Sequence, residues 1–320
     1  MNVFGRLILP VIIVLTALGC ASSSSSSSSD RTQFSSPEAA AQSLVDALRT
    51  QDRARLDEIL APAADDILSS GDQIADRADA VRFLALYDAG HRIQAGPDGV
   101  HTLVVGQANW PFPVPIVKSQ GKYVFDAETG REEILNRRIG RNELNAQQVC
   151  LAIVDAQRDY VALRPTGGAL PEYAQKLVSD TGKKNGLYWP TAEGEPASPL
   201  GPLVASAATE GYGSSTAPSS ARPAYHGYHY RLLTSQGPHA NGGALPYLVD
   251  GRLIGGFAVV AYPAQYGNSG IMTFMTSHDG IVYERDLGTE TELIAQGMSS
   301  FDPGPGWKKT ADDSQLTQRD

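Results

Sequence analysis

The sequence predicts an α+β fold built as two successive halves, each with helices before antiparallel strands. Apolar residues recur at helical spacing between Ser36 and Tyr87, and again between Arg141 and Leu163. After each of these stretches, short runs rich in valine, leucine and tyrosine alternate with turn signals such as Gln120-Gly121 and Asp279-Gly280. The chain of 320 residues is long enough for two ordinary domains.

Three helices are predicted at the start of the first half. Ser36 is a natural N-cap, Pro37 suits the first helical position, and Glu38 complements the positive end of the helix dipole. Apolar spacing predicts two further helices, at Asp52–Leu60 and Asp79–Tyr87. The last of these is expected to bury one face, formed by Val81, Leu84 and Ala85.

Strands follow these helices. They are predicted at His101–Gln107, Val114–Lys118 and Lys122–Asp126, with a hairpin turn at Gln120-Gly121. Pro115 cannot donate a ladder hydrogen bond, so it predicts that its strand lies at a sheet edge. An opening group of helices followed by a curved antiparallel sheet resembles the cone-shaped fold of nuclear-transport-factor-like domains.

The second half is predicted to be one long helix packed on an antiparallel meander. The helix spans Arg141–Leu163 and ends before Pro165. Its apolar stripe is formed by Ala146, Val149, Ile153, Ala156 and Tyr160. An irregular stretch follows, with short helices expected at Tyr173–Leu177 and Leu203–Ala208. Strands are expected at Tyr228–Thr234, Ile254–Ala261, Gly270–Thr276 and Ile281–Arg285.

The N-terminus has the pattern of a bacterial lipoprotein signal peptide. Arg6 supplies a positive charge, and Leu7–Leu18 is an apolar run too short to span a bilayer core, which needs about 20 residues. The run ends in Ala17-Leu18-Gly19-Cys20, which resembles a lipobox. We therefore expect cleavage before Cys20 and lipidation of its thiol, with an ordinary signal peptide as the alternative.

A serine run follows the predicted lipidation site. Ser22–Ser29 cannot form a core and predicts a flexible tether, whose r.m.s. reach from Cys20 to Phe34 is roughly 20 Å. Ala21 after the cysteine favours the outer membrane, with the protein facing the periplasm. The predicted divisions are a signal peptide (1–19), a lipidated tether (20–33), an N-terminal α+β module (34–140), a C-terminal helix-plus-sheet module (141–307) and a flexible tail (308–320).

The charge disfavours a nucleic-acid-binding protein, and the cysteine content excludes a disulfide scaffold. The formal charge is −9, and loss of Arg6 with the signal peptide makes it −10. Because no basic patch stands out, nucleic-acid binding is disfavoured. With Cys20 lipidated, Cys150 has no partner within the chain, so a disulfide scaffold is excluded. Cys150 lies in an apolar periodic segment and is predicted to be a buried residue instead of a nucleophile.

Several motifs resemble the bacterial domain of unknown function 2950 family. They are Ser69-Ser70-Gly71-Asp72, Trp110-Pro111-Phe112-Pro113, Arg137-Arg138-Ile139-Gly140-Arg141-Asn142-Glu143, Gly186-Leu187-Tyr188-Trp189-Pro190, Ser198-Pro199-Leu200-Gly201-Pro202 and Gly227-Tyr228-His229-Tyr230. These motifs are spread over nearly all of Phe34–Trp307, so the resemblance is specific. It implies an envelope protein and brings no known activity.

A second resemblance covers the back half only. Asn142-Glu143, Asp155-Ala156-Gln157 and Tyr160 look like the globular helix of type IV pilin-like proteins. Gly227–Leu232 and Met272–Val282 look like their sheet. A pilin needs a hydrophobic helix directly before this segment, whereas here the whole 34–140 module precedes it. Polymerisation into a pilus is therefore not expected.

Candidate catalytic chemistry is sparse. His226 and His229 are three residues apart, so on a strand they face opposite sides, and no carboxylate or cysteine at ligand spacing joins them. The sequence has no Gly-x-Ser-x-Gly elbow, no His-Glu-x-x-His motif and no Walker loop. We therefore predict no metal, no cofactor and no catalytic residue.

Two other groups of residues are candidates for binding. The polar cluster Arg137, Arg138, Arg141 and Glu143 is either an anion or partner site at a helix N-terminus or an interdomain salt-bridge network. Tyr188 and Trp189 either line an aromatic groove for a peptide or glycan, or hold a long loop on the sheet.

The sequence thus predicts an envelope protein that binds or scaffolds a protein, a peptide or a cell-wall component, and that contacts the membrane through its lipid. The alternative is a periplasmic hydrolase with an unrecognised site near His226 and His229.

Overall fold

The computed structural model describes residues 31–167, 170–192, 194–210, 212 and 224–310. The predicted signal peptide, Cys20 and the serine run lie outside the described residues, as does the tail from residue 311. The fold is α+β, as predicted, with helices and mainly antiparallel sheets. In the described ranges no helix is both long and apolar enough to cross a membrane.

The helices of the first half follow the predicted capping residues. The helices of the chain are α1 (Pro37–Thr50), α2 (Arg53–Ile59), α3 (Ala64–Leu68), α4 (Gln73–Ala89), α5 (Ala127–Leu163), α6 (Gly201–Thr209) and α7 (Thr291–Gly297). Ser36 Oγ accepts a 3.1 Å hydrogen bond from the Ala39 amide, which confirms the predicted start of α1. Asp52 caps α2 in the same way, through the Arg55 amide at 3.0 Å.

The predicted third helix differs from α4 in its start and in its buried face. Asp72 caps α4, so the helix begins at Gln73 instead of Asp79. Phe83 and Tyr87, one helical turn apart, are its buried side chains, whereas Val81 is 62 % exposed. The predicted face was wrong because the aromatic side chains, which pack on the sheet, set the rotation of the helix.

The first sheet has the order β1-β2-β4-β5, with β3 paired to the end of β2. Its strands are β1 (His91–Ala95), β2 (His101–Val105), β3 (Trp110–Pro111), β4 (Ile116–Ser119) and β5 (Lys122–Phe125). The turn between β4 and β5 has φ values of 52° at Gln120 and 82° at Gly121, which confirms the predicted tight hairpin. The predicted edge position was wrong: Pro115 precedes β4, which pairs on both sides, so its missing N–H removes no ladder bond.

The second half is a meander of five antiparallel strands in the order β8-β13-β14-β15-β17. In chain order its strands are β6 (Lys176–Val178), β7 (Gly186–Tyr188), β8 (Tyr228–Leu233), β9 (Ser235–Gln236), β10 (Leu245–Pro246), β11 (Leu248–Val249), β12 (Arg252–Leu253), β13 (Ala258–Pro263), β14 (Met272–Ser277), β15 (Val282–Asp286), β16 (Ser300–Phe301) and β17 (Lys308–Lys309). The start of the predicted tail therefore belongs to the sheet, because Lys308 pairs with Glu284.

One of the two short helices predicted in the irregular stretch after the long helix is present. Leu203–Ala208 lies in α6, whereas Tyr173–Leu177 is extended and ends in β6. The Gln157 side chain explains this difference, because it donates to the Ala174 carbonyl at 2.9 Å and accepts from the Ala174 amide at 2.8 Å. The Gln157 amide thus pairs with the backbone N–H and C=O of Ala174 as a neighbouring strand would, and the segment stays extended.

Helix α5 is the element that both halves share. It is 37 residues long and begins at Ala127, well before the predicted Arg141, because the Asp126 side chain caps it there. Ala127 lies in the core of the first half, with Phe34 and the side chains of α1. The predicted stripe from Ala146 to Tyr160 is buried in the core of the second half. The boundary that we predicted at residues 140 and 141 thus falls inside a continuous helix.

Cys150 is fully buried on α5, and burial raises the pKa of its thiol to about 12. Because the thiolate is the reactive form, N-ethylmaleimide should leave Cys150 unmodified in the folded protein and label it in denaturant. Mass spectrometry of the peptide that contains Cys150 measures this directly. Rapid labelling in native buffer would show that this part of α5 is accessible.

Candidate functional site

A cavity of about 780 Å³ opens in the first half, between helices α1, α2 and α4 on one side and β3 and α5 on the other. Its inner wall is apolar and is formed by Leu44, Leu48, Leu56, Phe83, Phe112 and Ile134. Several of these side chains also belong to the core of this half. A cavity of this size, with mainly apolar walls, has the dimensions of a small-molecule site.

The cavity lies beside the middle of α4, where the side chains of this helix do not fill the space toward α1 and α2. Over its 17 residues, α4 buries the side chains of Phe83 and Tyr87, which lie in its last two turns. Phe83 contacts Phe112 with 5.1 Å between ring centroids, and this pair closes the bottom of the cavity. Ala80, one turn earlier, is too small to fill the space that it faces.

Arginine is concentrated around this cavity. Seven arginines and two aspartates line it, in a chain that carries 26 lysines and arginines against 35 acidic residues. The arginines are Arg49, Arg53, Arg77, Arg82, Arg137, Arg138 and Arg141. The local field at such a cavity depends on how many of these arginines have a carboxylate partner.

The arginines differ in how far carboxylates neutralise them. Arg49 pairs with Asp88, and Arg53 with Asp57 and Asp65, so the charge at the α1–α2 side is matched. At the α4–α5 side, Asp79 serves both Arg82, at 3.0 Å, and Arg141, at 2.6 Å.

Arg77, on α4, forms no ion pair with any residue that the structure describes. Together with the shared Asp79, it leaves the α4–α5 side with a surplus of positive charge.

Arg138 is the most deeply buried cation of the group, with 7 % of its surface exposed. Its guanidinium donates to the Ser69 carbonyl at 3.3 Å, the Ile67 carbonyl at 3.1 Å and Asn268 Oδ1 at 2.5 Å. Burial lowers the pKa of Arg138, and the nearby Asp76 opposes that change. All three acceptors are neutral, so within the described part of the chain Arg138 forms no direct ion pair, although Asp76 lies near it at the cavity wall.

The predicted cluster of Arg137, Arg138, Arg141 and Glu143 lies in the middle of α5. The predicted position of these arginines at a helix N-terminus was wrong, because α5 begins at Ala127. Arg137 pairs with Glu133 at 2.6 Å and lies over the Trp110 ring at 5.4 Å.

Glu143 belongs to the contact between the two halves. Its Oε1 accepts from the amides of Ile271 and Met272, at 3.0 Å each. The sequence cluster therefore separates into rim residues, which are Arg137 and Arg141, and joining residues, which are Arg138 and Glu143.

Sequence reasoning missed Asp72, which is buried where the halves meet. One of its oxygens caps α4, and the other accepts from the Tyr212 hydroxyl at 2.7 Å and from the Gly227 amide at 3.3 Å. Gly227 has φ of 74°, and a Cβ there would lie 2.6 Å from Asn142 Nδ2. The sequence signals for Asp72 were its place in the motif Ser69-Ser70-Gly71-Asp72 and its suitability as an N-cap, whereas its contacts with Tyr212 and Gly227 are long-range.

The two histidines of the alternative site lie in different environments. His226, in a turn with φ of 51°, has its Nε2 3.4 Å from Glu210 Oε2, and burial lowers its pKa. His229 lies on β8, with its ring 5.4 Å from that of Tyr262. Among the described residues no group of three or more metal-ligating side chains is present. The hydrogen bonds described for His226 include no serine, threonine or cysteine side chain.

Tyr188 and Trp189 lie where the segment after α5 returns to that helix. Trp189 is 7 % exposed, with its ring edge-on to Tyr160 at 6.4 Å and under Lys184 Nζ at 5.4 Å. The Tyr160 hydroxyl donates to the Lys184 carbonyl at 2.6 Å. This burial favours loop attachment over an open aromatic groove.

The chain belongs to the family described as protein of unknown function (DUF2950), whose model matches residues 31–310. This confirms the family predicted from the motifs. Neither a curated protein nor a solved structure matches the chain. The pilin-like and nuclear-transport-factor-like resemblances stay predictions.

We expect Arg138→Ala to lower the free energy of unfolding by about 1–3 kcal/mol, because it removes charged hydrogen bonds to buried carbonyls. Arg137→Ala is the matched control on the same helix: its exposed ion pair with Glu133 should be worth less than about 1 kcal/mol. Denaturant unfolding of both variants measures the difference. An unfolding curve of Arg138→Ala that matches wild type would contradict the joining role of this residue.

Proposed function

We propose that this protein is a secreted, lipid-anchored bacterial envelope protein that acts as a binding module, with the cavity between α4 and α5 as its ligand site. The observation that supports this proposal is the cavity. Protein interiors are packed to the density of organic crystals, so unfilled space of about 780 Å³ beside a core is unusual. A ligand in this space would bury apolar walls that now face solvent, which favours binding.

The predicted anchor supports a membrane-proximal position for this half. The first described residues attach to it: Arg31 pairs with Glu128 at 3.1 Å, and Thr32 Oγ1 donates to the Glu58 carbonyl at 3.2 Å. The tether from Cys20 would therefore join the half that contains the cavity. Its reach of roughly 20 Å would hold the cavity close to a membrane surface.

The ligand classes that we propose are an envelope protein, a peptide or a cell-wall component, with no role in nucleic-acid binding. The hydrolase alternative would need a nucleophile beside His226. The contact of His226 with Glu210 instead resembles a structural polar contact at a turn.

A neutral naphthylamine dye, which fluoresces in apolar surroundings, tests the cavity directly. We expect the full-length protein to bind the dye and Ala80→Trp to abolish most of the binding, because the indole would fill the space that Ala80 faces. Ala78→Trp is the matched control, since Ala78 is an exposed residue of the same helix outside the cavity wall. Equal dye binding by both variants would mean that the dye binds elsewhere and would remove support for this site.

Cys20→Ser should release the protein from the membrane, because the anchor would be lost and no described helix can span a bilayer. Cell fractionation followed by detergent-phase partition measures attachment. A variant that is processed normally and still partitions wholly with the membrane would refute the lipoprotein proposal.

A further inference from the structure

Among the described residues, the α4–α5 side of the cavity has more arginines than carboxylates: the carboxylates are Asp76, Asp79 and Glu133, and the arginines are Arg77, Arg82, Arg137, Arg138 and Arg141. Arg77 forms no ion pair there, and the Arg138 guanidinium is bonded to neutral oxygens alone. Arg82 and Arg141 share the single carboxylate of Asp79. This distribution points to an anionic group as the natural occupant of that side.

Arg138 also retains hydrogen-bonding capacity. Its described bonds engage Nη1 twice and Nη2 once, which leaves part of the guanidinium fork without an acceptor among the described residues. Planar carboxylate and tetrahedral phosphate oxygens are the acceptors that such a fork binds best. The guanidinium forms no direct ion pair with a described carboxylate, so an incoming anion would gain both from the available donors and from the close charge.

The opposite side of the cavity offers apolar surface. Leu44 and Leu48 of α1 and Leu56 of α2 form this wall, and the arginines at its edge are already paired with Asp88, Asp57 and Asp65. A ligand that fills both sides must therefore be charged at one end and apolar along the rest of its length.

We propose that the cavity binds an anionic amphiphile, an acyl chain with a carboxylate or phosphate head, with the head at Arg77 and Arg138 and the chain against α1 and α2. This inference rests on the proposed function, since it concerns the same site, and it names an amphiphile in place of the protein, peptide or cell-wall ligands given above. The entry of the chain beside Glu58 and Glu128 supports it, because a tether attached there would keep the cavity near membrane lipids. An acidic amphipathic peptide would meet the same charge, and the experiment below separates the two.

Displacement of the neutral dye by three decyl compounds, each below its micelle concentration, tests the head group. Decanoate should displace the dye at a concentration roughly tenfold lower than decanol, the difference expected from one charge-assisted hydrogen bond. Decyltrimethylammonium should compete less well than decanol, because the cavity is positive. Added salt should weaken decanoate and leave decanol unchanged.

Two variants locate the head, and a third is the control. Arg77→Gln and Arg138→Gln should each reduce the advantage of decanoate over decanol several-fold while leaving decanol displacement unchanged. Arg131→Gln removes the same charge from α5 outside the cavity wall, where Arg131 pairs with Asp66, and should retain the full advantage. If Arg138→Gln does not fold, Arg77→Gln decides the outcome, because Arg77 is exposed.

The outcomes separate the two proposals. If Ala80→Trp abolishes dye binding but decanoate and decanol displace the dye at equal concentrations, the anionic head is overturned and the binding cavity still stands. Displacement by an acidic amphipathic peptide and by none of the decyl compounds would assign the cavity to a protein partner and overturn the amphiphile. Failure of the dye to bind would overturn the proposed function itself.

Discussion

The burial of one guanidinium determines how the two halves of this protein are held together. Arg138 lies where α5 passes from one core to the other. It donates to the carbonyls of Ile67 and Ser69, at the end of α3, and to Asn268 between β13 and β14. A cation in this position must be satisfied by many acceptors, because an unsolvated charge in the interior costs more than the fold can offset. The loop at Ser69 and the loop at Asn268 are therefore fixed by the same side chain.

The arrangement of α4 follows from this join. Asp72 caps α4 and also binds Tyr212 and Gly227, so the start of the helix is attached to the second half, whereas its last turns pack on the first sheet through Phe83 and Tyr87. Between these two attachments the helix stands away from α1 and α2, and the cavity is the space that remains. A cavity that depends on contacts at both ends of α4 is a property of the whole chain.

The positive charge of Arg138 contributes both to the stability of the join and to the proposed binding site. Arg138 stabilises the join through neutral acceptors, and for that reason its positive charge stays available at the cavity wall. Replacement of those acceptors by a carboxylate would neutralise the site, as Asp88 does for Arg49 on the far side. No described carboxylate forms a direct ion pair with Arg138, and this distinguishes this side of the cavity from the other.

The sequence by itself determined the features that depend on neighbouring residues. The Ser36 cap, the Gln120-Gly121 hairpin and the buried stripe of α5 follow from local dihedral preferences and helical spacing, and the family follows from short motifs. Only the tertiary structure decided where α5 begins, which face of α4 is buried and which oxygens Arg138 binds. Those outcomes depend on partners far apart in sequence, such as Asn268 for Arg138, and no local pattern encodes such a pairing. The cavity is also a feature that only the tertiary structure decided, because the packing of the helices sets the empty space between them.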